Sequence, residues 1–135
     1  MSNDLISVIM SSFNSEKTIE ESIQSILNQD YKNIEFLIVD DGSTDNTLRI
    51  MKKLRDKDKR IEIIENTRNI GLTKSLNQLL KISNGRYIAR QDSDDLSFPY
   101  RLTRQINFLK KTNYDIVTSR AVIKNKEVKI PKYSH

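Results

Sequence analysis

Hydrophobic residues along the chain alternate between short continuous runs and stripes with helical spacing. The runs are rich in β-branched residues and predict five buried strands, at 5–10, 34–39, 61–64, 87–89 and 115–118. Between them, apolar residues recur every three or four positions and predict four amphipathic helices, over 19–27, 48–54, 72–80 and 102–109. Strands and helices therefore follow one another in single steps.

This alternation predicts the fold class. Single strand–helix steps imply right-handed crossovers, so we expect an α/β fold with a doubly wound, mostly parallel sheet and helices on both faces. All strands of such a sheet end at one edge, which is where ligands bind. Four polar loops are expected to meet at that edge, at 11–14, 40–41, 66–68 and 92–94.

Glycine and proline positions mark the helix ends. Asn84-Gly85 predicts a left-handed C-cap after the third helix, and Ser97 with Pro99 predicts the start of the fourth. We expect one nucleotide-binding unit over 1–119 and a basic hairpin or tail over 120–135.

Composition narrows the class of protein. The chain has 135 residues, 30% of them charged, which is typical of one soluble domain. The absence of cysteine excludes disulfides and thiolate metal sites and fits a reducing compartment. No signal peptide and no apolar run long enough to span a bilayer is recognisable, so we expect a cytoplasmic protein.

The net charge of +5 is unevenly distributed. The last 35 residues contain nine Lys and Arg residues but only two acidic ones. This basic segment could meet phosphates or contact the inner face of a membrane peripherally. No aromatic residues interleave with it as a stacking platform, so nucleic acid is not an expected partner.

The most informative polar stretch is an acidic cluster directly after the fourth strand. Asp92, Asp94 and Asp95 repel one another, and a divalent cation such as Mg²⁺ or Mn²⁺ would offset their charge. A solvated acidic turn is the alternative. No glycine-rich phosphate loop follows the first strand. With no cysteine and with His135 as the only histidine, a typical zinc site is excluded.

Six blocks, in order and at consistent spacing, resemble a known family. They are SVIMSSFN at 7–14, SIQSILNQ at 22–29, IVDDGSTD at 38–45, NIGL at 69–72, GRYIA at 85–89, and DSDD at 92–95 followed by PYRL at 99–102. From about Leu5 to Ser119 the chain is similar to the nucleotide-sugar half of family 2 glycosyltransferases with the GT-A fold. The resemblance implies an inverting transferase that moves a sugar from a nucleotide diphosphate, commonly UDP, to the hydroxyl of a glycan or lipid-linked acceptor.

The resemblance also implies site residues. Ser11 and Phe13 would border the base and ribose, although Phe13 could equally be a core aromatic. Asp41 would accept a hydrogen bond from the base, and Asp40 would brace the turn. Asp92 and Asp94 match the Asp-x-Asp signature, with Asp94 as the direct ligand of Mn²⁺ or Mg²⁺ and Asp92 near the ribose or a metal-bound water.

Three further charged residues are candidates at the same edge. Asp95 is a secondary candidate for the metal. Glu16 and Arg68 are candidates for nucleotide binding, although a surface salt bridge would explain either of them.

The expected catalytic base is missing. Family members carry a carboxylate well downstream of the Asp-x-Asp, but after Asp95 this chain has only Asp115 and Glu127. The acceptor-binding half is therefore expected to be absent. The apolar edge that this leaves exposed would promote self-association or be covered by the basic C-terminal segment. A non-catalytic nucleotide-sugar or phosphate-binding module is the alternative function. A sugar nucleotidyltransferase is a second, disfavoured by the missing glycine-rich loop.

Overall fold

A computed structural model describes residues 3–122 of the chain. The strands and helices alternate in the order β1 Ile6–Ser12, α1 Ile19–Leu27, β2 Ile34–Asp40, α2 Thr47–Lys57, β3 Ile61–Glu65, α3 Leu72–Ile82, β4 Tyr87–Arg90 and α4 Arg101–Lys111.

The four strands form one parallel sheet in the order β3-β2-β1-β4. The chain adds β2 and β3 on one side of β1 and then crosses to place β4 on the other side. Ser12 lies opposite Asp40 on β2, while Ile9 lies opposite Arg90 on β4. The strand order therefore switches direction between β1 and β4, and their carboxyl ends open onto a common crevice.

Helices cover both faces of the sheet, as the alternating pattern predicted. On one face α1, α2 and α4 pack over the larger core, in which Val8 and Phe36 are fully buried. On the other face α3 packs through Leu79 against Ile9 and Leu37. Burial of each such side chain contributes about 1.5–3 kcal/mol before the cost of ordering it. The predicted doubly wound α/β fold is confirmed.

The predicted fifth strand at 115–118 is wrong. These residues form no strand, and the side chain of Ile116 is 81% exposed. Among residues 3–122, β4 pairs only with β1. A β-prone segment becomes a strand only where a neighbour satisfies its backbone hydrogen bonds. The local apolar pattern was therefore not sufficient to predict a strand at 115–118.

The predicted left-handed C-cap at Asn84-Gly85 is also wrong. Helix α3 ends at Ile82 and is followed by Ser83 in an extended conformation. Within the described part of the chain only Gly42, Gly71 and Asn14 have positive φ. Gly85 is instead needed for close approach, because a Cβ there would lie 2.4 Å from the Ser7 nitrogen. Helix α4 begins at Arg101, two residues after Pro99.

A dense bonding cluster explains that close approach. The Glu35 carboxylate accepts hydrogen bonds from Ser7 and from the backbone N–H of Asn84, and the N–H of Gly85 donates to Ser7. Burial alone would raise the pKa of Glu35, but these hydrogen bonds lower it. The cluster joins β1, β2 and the start of β4 at the edge opposite the crevice.

The end of the chain lies mostly outside this description. Of the predicted basic segment 120–135, residues from 123 onward, with Glu127, are outside the described residues. Its separation from 1–119 therefore stays a prediction. Between residues 3 and 122 no helix is both long and apolar enough to cross a membrane.

Candidate functional site

A cleft of about 620 Å³ opens at the carboxyl edge of the sheet, where β1 and β4 diverge. It is lined by the loop after β1, the start of α3 and the acidic loop after β4. The lining residues are Ser11, Phe13, Asn14, Ser15, Glu16, Lys17, Thr18, Asp45, Leu72, Arg90, Asp92, Ser93 and Asp94. Its position at the switch point matches the edge predicted from the strand order.

The loop after β1 forms one wall of the cleft. Phe13 is 45% exposed here and is therefore not a core aromatic. Leu72, at the start of α3, is the other large apolar residue of the lining. Asn14 has a φ of 47°, and its side-chain oxygen accepts a hydrogen bond from the Thr44 N–H. This bond ties the loop after β1 to the turn after β2.

The acidic pair at the end of β2, Asp40 and Asp41, does not line the cleft. Asp40 and Asp41 are each only 2% exposed. The Asp41 carboxylate accepts hydrogen bonds from the backbone N–H groups of Ile70 and Gly71 and from the Asn66 amide, all at 2.9 Å. One Asp40 oxygen accepts from the Ser43 N–H, at 3.1 Å.

The bonding of Asp41 decides its charge state. Burial alone would raise the pKa of Asp41, but the hydrogen bonds from Ile70, Asn66 and Gly71 together lower it. Asp41 is therefore a stable anion that fixes the loop between β3 and α3. A side-chain hydrogen bond with Ser75 also helps to lower this pKa, so the roughly four acceptor positions of the carboxylate are largely occupied.

The acidic loop after β4 has the opposite character. Asp94 lines the cleft and is exposed, and Asp92 is partly exposed. Arg90 forms an ion pair with Asp92 at 2.9 Å through Nε and 3.3 Å through a terminal nitrogen. Burial, followed by the charges of Asp94 and Asp92, raises the pKa of Asp95. Asp95 does not line the cleft.

A buried polar scaffold holds this loop from below. Gln91 is 3% exposed, and its amide nitrogen donates to the Asp95 carbonyl at 2.7 Å and to Ser22 of α1 at 3.3 Å. Its amide oxygen accepts from Ser97 and from Arg101, the first residue of α4. Helices α1 and α4 therefore fix both ends of the acidic loop.

The remaining predicted residues divide between the cleft and its surroundings. Glu16 lines the cleft, and its carboxylate accepts hydrogen bonds from the backbone N–H and side-chain amide of Asn46. It forms no salt bridge with any residue between 3 and 122. Arg68 is exposed and does not line the cleft. The structure thus brings together Ser11, Phe13, Glu16, Asp92 and Asp94 and leaves out Asp40, Asp41 and Arg68.

Several lining residues were not predicted from the sequence. Lys17 and Arg90 are the cationic side chains of the lining, and Ser15 meets Ser93 across it at 2.9 Å. Arg90 could have been found from its place two residues before Asp92, since alternate residues of an extended chain share a face. Lys17 gives no comparable signal.

The donor atoms fit a hard divalent cation. Within residues 3–122 no group of three or more Asp, Glu, His or Cys side chains is arranged to hold a metal. Mg²⁺ and Mn²⁺ commonly take one or two carboxylates and complete their shell with substrate phosphates and water. Asp94 and Asp92 are the residues that fit this pattern.

Residues 7–135 match the family model described as Glycosyl transferase family 2. The chain belongs to this family. EpsE of Bacillus subtilis (strain 168), assigned as a glycosyltransferase, is 52% identical over 114 residues, which are 83% of this chain and 41% of EpsE. WfgD of Escherichia coli, a UDP-Glc:alpha-D-GlcNAc-diphosphoundecaprenol beta-1,3-glucosyltransferase, is 38% identical over 91% of this chain and 51% of its own length.

Solved structures agree with this family 2 assignment. Residues 1–349 of Staphylococcus aureus TarS, in complex with UDP-GlcNAc, match with a TM-score of 0.76 and 32% identity, over 88% of this chain and 37% of TarS. The mannosyltransferase PcManGT from Pyrobaculum calidifontis, in complex with GDP-Man and Mn²⁺, matches with a TM-score of 0.71 and 28% identity, over 77% and 32%. The described fold is therefore part of a GT-A fold.

This family 2 chain spans about a third to a half of the length of the curated relatives it matches. It aligns with only part of each solved glycosyltransferase as well.

Proposed function

We propose that this chain forms the donor-binding part of an inverting glycosyltransferase. It binds a nucleotide-diphosphate sugar, with UDP as the expected nucleotide, together with Mn²⁺ or Mg²⁺. The observation that carries the proposal is one cleft at the β1/β4 switch point that combines apolar Phe13 and Leu72 with the carboxylates of Asp92 and Asp94.

Each part of the donor meets suitable chemistry in this cleft. Phe13 and Leu72 offer apolar surface to the base and ribose, beside the Ser11 hydroxyl. Lys17 and Arg90 offset the negative charge of the diphosphate. Asp94 and Asp92 hold the cation. When bound, such an ion neutralises charge that develops on the leaving diphosphate.

Relatives support this choice of ligands. TarS has been solved with UDP-GlcNAc and PcManGT with GDP-Man and Mn²⁺, while the name of WfgD gives a UDP-glucose donor and a lipid-linked acceptor. We therefore expect a UDP-sugar donor and a glycan or lipid-linked acceptor. Peripheral contact of the basic C-terminal residues with the inner face of a membrane remains part of the proposal.

A titration of UDP and GDP, each with Mn²⁺ and with excess chelator, tests donor binding. We expect UDP to bind only when the cation is present, because the diphosphate otherwise faces the uncompensated carboxylates of the cleft. Binding of UDP in chelator at the same affinity would contradict the proposed metal dependence. Tighter binding of GDP than of UDP would contradict the nucleotide assignment.

The catalytic base is not assigned. Of the four acidic residues in the lining, Glu16 and Asp45 already accept hydrogen bonds from the segment that starts α2. Asp92 and Asp94 are the proposed ligands of the cation. Asp115 is exposed and outside the lining. We therefore expect the base in a part of the enzyme beyond the described residues.

It follows that the 135-residue chain alone should bind donor but transfer sugar poorly. A positioned base is typically worth about 10² to 10⁴ in rate, and loss of acceptor orientation lowers the rate further. Transfer assays comparing this chain with a full-length relative, over a panel of acceptors, test the expectation. Turnover equal to that of the relative would redirect the search to Asp95, Asp115 or Glu127.

The alternative is a non-catalytic nucleotide-sugar or phosphate-binding module. It is favoured by the same observation, a complete donor cleft without an assignable base. Donor binding with no hydrolysis and no transfer in any longer form of the protein would support it.

Self-association remains a prediction as well. The side chains of Phe98 and Ile116 are 72% and 81% exposed. Single exposed apolar side chains are normal on a monomer, so self-association requires that these residues belong to one contiguous apolar patch. Sedimentation velocity at increasing protein concentration measures the effect, and a concentration-independent monomer would contradict it.

A further inference from the structure

Arg90 and Asp92 form an ion pair within the cleft. The guanidinium contacts both oxygens of the carboxylate, Nε with one at 2.9 Å and a terminal nitrogen with the other at 3.3 Å. Such two-point contact is the geometry in which arginine binds carboxylates and phosphates best. Both oxygens of Asp92 are therefore engaged by a cation that belongs to the protein.

The pair is accessible and easily opened. The side chains of Arg90 and Asp92 are 52% and 44% exposed. Exposed ion pairs contribute little net stability, because water and salt compete with them. By contrast, Arg101 donates four hydrogen bonds, to Gln91, Ser97, Gln105 and the Arg90 carbonyl, and is fixed at the start of α4. Of these two arginines, Arg90 is the one free to change its partner.

A divalent cation that binds Asp92 must compete with Arg90 for the same carboxylate. Asp94, by contrast, has no ion-pair partner among the described residues. Once displaced, the guanidinium remains at the cleft and can pair with an anion there. A nucleotide diphosphate brings phosphate oxygens, which suit the planar fork of arginine.

We propose that Arg90 is an internal counter-ion that occupies Asp92 in the empty cleft and transfers to the diphosphate when cation and nucleotide bind. The inference rests on the proposed donor function. Arg90 thereby lowers the affinity of the cleft for a free cation and raises its affinity for the cation–nucleotide complex. It is a positioning and binding residue that makes cation binding depend on the nucleotide.

The test measures binding of Mn²⁺ alone and of UDP at saturating Mn²⁺, by calorimetry or by electron paramagnetic resonance of free Mn²⁺. In Arg90→Gln we expect Mn²⁺ alone to bind about three- to tenfold more tightly, because the competing charge is gone. UDP should bind roughly tenfold more weakly, because the guanidinium that would pair with the diphosphate is lost. Arg90→Lys keeps the positive charge but not the planar fork, so both of its affinities should lie between those of the unaltered chain and those of Arg90→Gln.

Two controls separate competition for Asp92 from the general electrostatic effect of removing a positive charge from the cleft. Lys17→Gln removes the same charge from the same lining, but Lys17 forms no ion pair within residues 3–122. It should change Mn²⁺ affinity by only about twofold or less. In an Asp92→Asn background, Arg90→Gln should no longer tighten Mn²⁺ binding.

Unchanged Mn²⁺ affinity in Arg90→Gln overturns the proposal, as do equal changes of Mn²⁺ affinity in Arg90→Gln and Lys17→Gln. Unweakened UDP binding in Arg90→Gln overturns it too. Failure of the proposed function gives a different pattern, since the unaltered chain would then bind neither Mn²⁺ nor UDP with Mn²⁺. We expect the variants to fold, because the Arg90 side chain is half exposed and its backbone carbonyl still accepts a hydrogen bond from Arg101. Thermal unfolding checks this.

Discussion

Two acidic segments lie at the same edge of the sheet, one at the end of β2 and one after β4, but their environments are opposite. Asp40 and Asp41, after β2, are 2% exposed and accept hydrogen bonds from backbone N–H groups. Asp92 and Asp94, after β4, line the cleft, where Asp92 is held by one exposed ion pair. The first pair is fixed by the fold, and the second is available to a ligand.

The contrast shows why a carboxylate's hydrogen-bond partners indicate its use. A buried carboxylate that accepts several N–H bonds loses them if it turns to a ligand, so its first task is to hold its loop. An exposed carboxylate with few partners loses little when a cation binds. By this criterion Asp41 is primarily structural and Asp94 is primarily for binding.

The largest expected effect is on ligand binding by Asp94→Ala. Loss of the direct cation ligand should weaken Mn²⁺-dependent UDP binding roughly a hundredfold or more. The melting temperature should stay within a degree or two, since Asp94 is exposed. Asp56→Ala is the matched control, because it removes an exposed carboxylate from α2. Equal UDP affinity in Asp94→Ala would remove the basis of the comparison.

Asp41→Ala should show the reverse, a loss of stability. It leaves the N–H groups of Ile70 and Gly71 without their acceptor, so we expect the free energy of unfolding to fall by about 2 kcal/mol. Urea denaturation followed by circular dichroism measures the change. A stability equal to that of the unaltered chain would show that Asp41 does not hold the loop.

Asp41 lies outside the cleft lining, but the family resemblance implies that it contacts the base, and this contact predicts a smaller, ligand-specific effect. Asp41→Asn keeps the shape of the side chain but removes its charge, and it should weaken UDP about tenfold. Binding of Mn²⁺-pyrophosphate, which lacks a base, should be nearly unchanged. Parallel losses for both ligands would mean that Asp41 acts only through the loop.

The smallest effect concerns acid stability. Because the pKa of Asp41 is lowered in the folded state, its stabilising contribution is complete above the unfolded pKa of about 3.9 and is lost as the pH falls through the folded pKa. Asp41→Asn should therefore lose less stability on acidification than the unaltered chain. Identical pH profiles for the variant and the unaltered chain would contradict the assignment.

The spacing of apolar residues predicted correctly the strands and helices whose apolar faces are buried in the core. The first four strands and all four helices were found at their predicted places, because the periods of two and of 3.6 residues are set by each segment itself. The fifth strand was not, since Ile116 belongs to a segment that needs a pairing partner. Gly85 was misread because its close approach to Ser7 involves residues far apart in sequence.

The site was predicted in outline for a similar reason. Strand order in a parallel sheet brings all carboxyl ends to one edge, so Ser11, Phe13, Asp92 and Asp94 could be grouped from sequence. The same rule could not separate Asp41 from Asp94, because both follow a strand. It also gave no role to Gln91, whose amide joins the acidic loop to α1 and α4.

By itself, then, the sequence determined the alternation of strands and helices, the ligand-binding edge and, through its six motifs, the family. Only the tertiary structure decided which carboxylates are available, that Arg90 neutralises Asp92, and that Lys17 and Leu72 join the lining. The physical reason is that burial and hydrogen bonding, which set a carboxylate's charge and freedom, depend on neighbours distant in sequence. Asp41 and Ile70, 29 residues apart, are one such pair.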